Sequence, residues 1–183
     1  MSSHLLLRAL AATLACLATS ARAEVPVVSV AEVALARYVG KWYEIANFPL
    51  HFQRQCIGDT TAEYGLTPGG EMAVTNRCRT DRGFDEARGK AVVVAGSGNA
   101  RLSVSFLWPF RSDFWVIGID AEDRWAVIGN PDRKSLWVFS RTPQLSKELL
   151  AAALDAAAAQ GFDLTQLRYT VQSVARKSEP EAP

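Results

Sequence analysis

Gly40-Lys41-Trp42-Tyr43-Glu44-Ile45-Ala46 reads as a strand entered through a sharp turn. Glycine reaches backbone angles closed to other residues, and Trp42 offers a large flat ring to one face of the strand. Roughly a hundred residues later, Leu136-Trp137-Val138-Phe139-Ser140-Arg141 reads as an aromatic strand that ends in arginine. Side chains in a strand alternate faces, so Trp137, Phe139 and Arg141 share one side. A guanidinium placed there is suited to lie over an indole, a contact of about 1–2 kcal/mol when partly desolvated.

Between these stretches, short apolar runs alternate with turn residues at intervals of about ten, as in antiparallel β structure and unlike βαβ units. Strands are expected near 41–48, 58–66, 71–78, 86–95, 100–107, 113–120, 124–129 and 135–141. Pro68-Gly69-Gly70, Asp81-Arg82-Gly83, Gly96-Ser97-Gly98-Asn99 and Asn130-Pro131-Asp132 supply the turn chemistry between them. With hairpin-length links and no long crossover before residue 142, an all-β, eight-stranded antiparallel up-and-down barrel is expected. A two-sheet sandwich is the structural rival.

The period then changes. Ser146 to Gln160 reads as one helix, with Ser146 as N-cap, Glu148 in the first turn and Gly161 as the stop. Leu149, Leu150, Ala153, Leu154 and Ala157 make one apolar face, which predicts close packing on the barrel wall. A short ninth strand is expected near 166–173, and residues 177–183 read as a charged, Pro-rich disordered tail. The segment from Glu24 to Arg37 is expected to wrap the closed end.

Residues 1–23 have the form of an export signal. Arg8 is the basic element, Ala9 to Thr19 a short apolar run, and Ala21-Arg22-Ala23 a small-x-small cleavage site. The run is shorter than the roughly 20 residues that span a bilayer. Losing Arg8 and Arg22 takes the 20 basic residues to 18 against 19 acidic ones, a net of −1. Such a balance does not favour nucleic acid. Cleavage also discards Cys16 and leaves Cys56 and Cys78 as an even pair in an exported chain, read here as a disulfide worth about 3 kcal/mol. Two separate thiols are the alternative. With His51 as the last histidine, no metal ligand set is expected. Thr13-Leu14-Ala15-Cys16 resembles a lipobox, so Cys16 is either a lipidation site or part of a discarded signal.

The Gly-x-Trp-Tyr-Glu opening, the distant Phe139-Ser140-Arg141 and the order of eight strands, one helix and one strand resemble the lipocalin signature. The resemblance covers nearly all of residues 37–174 within a domain expected at 24–176, and extends to bacterial outer-membrane or periplasmic lipocalins of the apolipoprotein D kind. It implies that Trp42 closes the barrel floor under Arg141, with Gly40 at the turn, and that the other end is an open cup. The family's middle motif falls on Gly118-Ile119-Asp120-Ala121-Glu122-Asp123-Arg124, where Asp120 alone matches.

Alternation in 100–107 puts Leu102, Val104 and Phe106 on the inner face opposite Arg101, Ser103 and Ser105. Tyr64, Asn76, Phe114 or Trp115, Trp137 and Phe139 are expected to join the lining, with Tyr64 and Asn76 able to hydrogen-bond a head group. The alternative is that these aromatics fill a closed core. Phe106-Leu107-Trp108-Pro109-Phe110 should lie at the mouth with His51 and Phe52, where Trp108 and Phe110 would contact a membrane or a second subunit, or fold back on the rim.

The resemblance implies a carrier of fatty acid or lysophospholipid in the envelope, periplasmic or anchored at the outer membrane, with no cofactor. Monomer and homodimer both fit. An enzyme of the isomerase or epoxidase type lacks a free thiol, and neither Glu44 nor Asp59 looks more than solvated. Haem capture would want an axial histidine and siderophore capture a basic cup, with pigment binding a further alternative.

Overall fold

The computed structural model describes residues 25–69 and 71–173. The expected signal, Cys16, Gly70 and the tail at 177–183 lie outside the described residues. The strands are β1 (Gly40–Asn47), β2 (Gly58–Leu66), β3 (Met72–Thr80), β4 (Gly83–Val93), β5 (Arg101–Leu107), β6 (Phe110–Ile119), β7 (Trp125–Gly129), β8 (Leu136–Ser140) and β9 (Arg168–Tyr169). Among the described residues α1 (Leu35–Tyr38) and α2 (Lys147–Ala159) accompany them.

Each of β2 to β7 pairs antiparallel with the next, and β1 closes the ring by pairing with both β2 and β8. Trp42 stands opposite Ala62, and Glu44 opposite Phe139. Closure removes the free sheet edges that a sandwich would keep. A register shift between Glu44 and Ala46 bends β1, and beyond it β1 pairs with β9 instead of β2. The chain after β9 then straps β1 to β2. Thr170 N–H donates to the Ile45 carbonyl at 2.9 Å, and Asp59 N–H donates to that of Val171 at 2.8 Å.

Three expected elements need correction. The ninth strand is only Arg168–Tyr169, because the strap is held mainly by single bonds and side chains. The sixth strand starts at Phe110, so the β5–β6 link shrinks to Trp108 and Pro109. Residues 25–34 run along the wall before α1 reaches the closed end: Val30 N–H donates to Val116 and Val33 N–H to Gly98, both at 2.8 Å.

Period-two alternation divides the apolar residues into two cores. Trp42, Tyr64, Met72, Leu102, Val104, Ile128 and Phe139 face the lumen. Ile117, Trp125, Val127, Leu136 and Val138 face outward, under α2. Ser146 caps α2 by accepting from Leu149 N–H at 3.3 Å. Ala153 and Ala157 are fully buried against the wall, small enough for the helix to approach closely. At the closed end, Asp120 accepts from Arg124 Nε at 2.7 Å and from two backbone amides of its turn, which hold its carboxyl down at about 2.

Candidate functional site

The candidate site is the barrel lumen, built upward from its closed end. Gly40 has φ +95°, which turns the chain into β1. The Arg141 guanidinium lies 3.7 Å from the Trp42 ring centroid. Its Nη1 donates to the carbonyls of Lys41 at 3.0 Å and Val39 at 3.2 Å, and its Nη2 to that of Arg37. Trp42 Nε1 donates to the Tyr38 carbonyl at 2.8 Å, which ties α1 across the floor.

A series of rings climbs from there. Centroids are 5.2 Å apart for Trp42–Tyr38 and for Tyr38–Tyr64, 6.2 Å for Tyr64–Phe114 and 5.9 Å for Phe114–Trp137. Burial pushes the Tyr38 and Tyr64 hydroxyls above the usual phenol range. Asn76 Oδ1 is buried without a hydrogen-bond partner.

Exposure grades along the axis. Tyr64, Leu102, Val104 and Phe139 are buried, Asn76, Phe114 and Trp137 are half-buried, and Phe106 is 45% exposed. The Phe106 ring lies over Gly89: a Cβ there would stand 2.8 Å from Phe106 Cδ1 and 2.6 Å from the Ser105 carbonyl. Of Phe114 and Trp115, it is Phe114 that joins the lumen. Trp115 packs with the outer core, its ring 4.1 Å from the Arg101 guanidinium.

At the end opposite Trp42, Trp108 is 80% and Phe110 71% exposed, with Leu107, Phe52 and Phe84 also exposed at strand ends and loops of that end. Cys56 and Cys78 form a disulfide with a Cα–Cα distance of 5.5 Å, tethering the β1–β2 loop to β3. Among the described residues no group of three or more His, Cys, Asp or Glu is placed to hold a metal.

Sequence reasoning missed one cluster and misjudged its centre. Glu44, expected to be solvated, is 2% exposed. Its Oε2 accepts from Gln53 Nε2 at 3.0 Å and its Oε1 from the Thr170 hydroxyl at 2.6 Å. Gln53 Oε1 in turn accepts from Asn47 Nδ2 at 3.1 Å and Trp137 Nε1 at 3.3 Å. Burial pushes the Glu44 carboxyl above the usual carboxylate range, against the pull of Thr170, Gln53 and the charge of Arg168. Its two-residue spacing from Trp42 was the available signal, since it puts both on one face.

Residues 33–172 match a family model described as a lipocalin-like domain. Temperature-induced lipocalin-1 of Arabidopsis thaliana is 39% identical over 147 residues, 75% of this chain and 78% of that protein. Outer membrane lipoprotein Blc of Escherichia coli K12 is 39% identical over 138 residues, 74% of this chain and 77% of that protein. Insecticyanin from the tobacco hornworm Manduca sexta superposes with a TM-score of 0.65 at 20% identity, over 79% of this chain and 83% of its own, a likeness of fold alone.

Proposed function

This chain belongs to the lipocalin family, and we propose that it is a carrier whose lumen holds a fatty acid or lysophospholipid for use in the cell envelope. The observation that carries this reading is the apolar lining of the lumen, closed at Trp42 and grading from buried Tyr64 and Leu102 through half-buried Phe114 and Trp137 to the exposed Phe106. The acyl chain lies among Val104, Phe106, Phe114 and Trp137, over a base of Tyr64, Leu102 and Phe139. Asn76, whose buried Oδ1 lacks a partner, is the polar contact within the lumen. Each methylene taken from water contributes about 0.8 kcal/mol. Gly40, Trp42 and Arg141 keep the floor shut.

Carriage needs no covalent step and no cofactor, and the disulfide keeps Cys56 and Cys78 from acting as thiolates. Similarity to an outer membrane lipoprotein supports an envelope location, in the periplasm or, if Cys16 is acylated, at the outer membrane. The exposed Trp108 and Phe110, with Arg111 beside them, fit transient contact with an anionic lipid surface. The direct test is displacement of a fluorescent fatty acid by unlabelled lipids. Saturable displacement by single-chain lipids supports the carrier, and no uptake of the probe overturns it.

A further inference from the structure

The β1–β2 loop and β9 enclose a second concavity beside the lumen. After Pro49 the loop makes a single 3-10 turn, His51–Gln53, with Arg54 at its end. Arg168 faces it, paired in register with Asn47 of β1. Together they bound a cavity of about 200 Å³ whose polar lining is Asn47, His51, Gln53, Arg54 and Arg168. No carboxylate lines it.

Among the described residues neither guanidinium is in an ion pair, and the charge of Arg168 acts on Glu44 behind the Gln53 amide. Two unpaired guanidiniums on one concavity make a site for a compact anion, because each offers a planar fork of donors that matches carboxylate or phosphate oxygens. A phosphate monoester carries a charge of about −1.5 to −2 near neutral pH, the better match to two cations.

Gln53 also separates this cavity from the lumen. Gln53 lines the cavity, and its Oε1 accepts from Trp137 Nε1 at 3.3 Å on the lumen side. An acyl chain lying along Trp137 therefore brings its head within one side chain of the two arginines. Building on the carrier reading, we infer that this cavity is a head-group subsite for a phosphate monoester, held by Arg54 and Arg168 with His51 and Asn47 as further donors. The ligand it selects is a single-chain lipid ending in an uncapped phosphate.

The test compares three probes on the full chain: a monoacylglycerol, the acylglycerol phosphate of the same chain length, and glycerol 3-phosphate. They are titrated against the unaltered protein, Arg54→Gln, Arg54→Gln with Arg168→Gln, and Arg82→Gln in the β3–β4 turn as a control. The inference predicts that the acylglycerol phosphate binds at least tenfold tighter than the monoacylglycerol. Arg54→Gln should lose part of that preference and the double variant nearly all of it, with monoacylglycerol affinity held within about twofold. Arg82→Gln should keep the preference. Equal affinity of the two lipids for the unaltered protein would overturn the head-group site while leaving the carrier intact. A preference lost equally in Arg82→Gln would overturn it too, since the effect would then be general surface charge. Glycerol 3-phosphate binding as tightly as the lipid would reassign the cavity to a free soluble anion. Failure of both lipids to bind would remove the carrier reading and this inference together.

Discussion

Arg141 holds the floor of the barrel by stacking its guanidinium 3.7 Å from the Trp42 ring centroid while spanning the carbonyls of Arg37, Val39 and Lys41. One side chain thus joins the last barrel strand, the first, and the helix that crosses the closed end. Replacing Arg141 with Leu removes the ring contact and the three donors, and should cost about 2–4 kcal/mol. Arg141→Lys keeps a cation over the ring but cannot reach all three carbonyls, so an intermediate loss is expected. Urea denaturation of both variants measures it; a loss below about 0.5 kcal/mol for Leu would mean the contact is incidental.

The Cys56–Cys78 bond closes a loop across a sequence separation of 22 residues. In the chain-entropy picture its removal should cost about 3 kcal/mol. The double Cys→Ser variant, compared with the oxidised protein by chemical denaturation, should show that loss. Faster hydrogen exchange in the β1–β2 loop is expected with it, because the bond ties that loop to β3.

Glu44 makes stability depend on pH in a direction set by its burial. Its folded pKa lies above the ordinary value of 4.5, so between the two the folded state holds a proton that the unfolded chain has released. Stability should therefore fall as pH rises from about 4.5 through the raised folded value. Below that window both states are protonated and the contribution is flat. Glu44→Gln should lack this fall. Denaturation of both proteins across the acid-to-neutral range checks it, and parallel profiles would contradict it.

Trp108 and Phe110 are exposed enough that replacing both by Ser should change folding stability by less than about 0.5 kcal/mol. Partitioning onto anionic liposomes should nevertheless drop roughly tenfold. Unchanged sedimentation with the vesicles would exclude this loop as the contact.

The barrel was legible because two periods carry it. Alternation every second residue placed Leu102 and Val104 on a common face, and both are buried. The 3.6-residue period placed Ala153 and Ala157 on the buried side of α2. Turn glycines and Ser146 set most boundaries to within a few residues. Contacts between distant segments were not legible. Glu44 reads as a solvated acid by residue type, and it is buried because Thr170, 126 residues away, and Gln53 from a loop close over it. The β9 boundaries were overextended because an extended strap with little ladder pairing has the composition of a strand. Arg54 and Arg168 come together only once the loop and β9 have folded onto β1, so neither stands out in the chain.

A lumen that carries a single-chain lipid should keep it through purification. Native mass spectrometry of the protein purified from an exporting host, followed by organic extraction and lipid identification, reads that retention. The expected result is a bound fatty acid or lysophospholipid that added lipid displaces and that Trp137→Ala weakens. A protein of bare polypeptide mass that takes up no added lipid would contradict it, and would mean that the aromatic series from Trp42 to Trp137 fills a closed core.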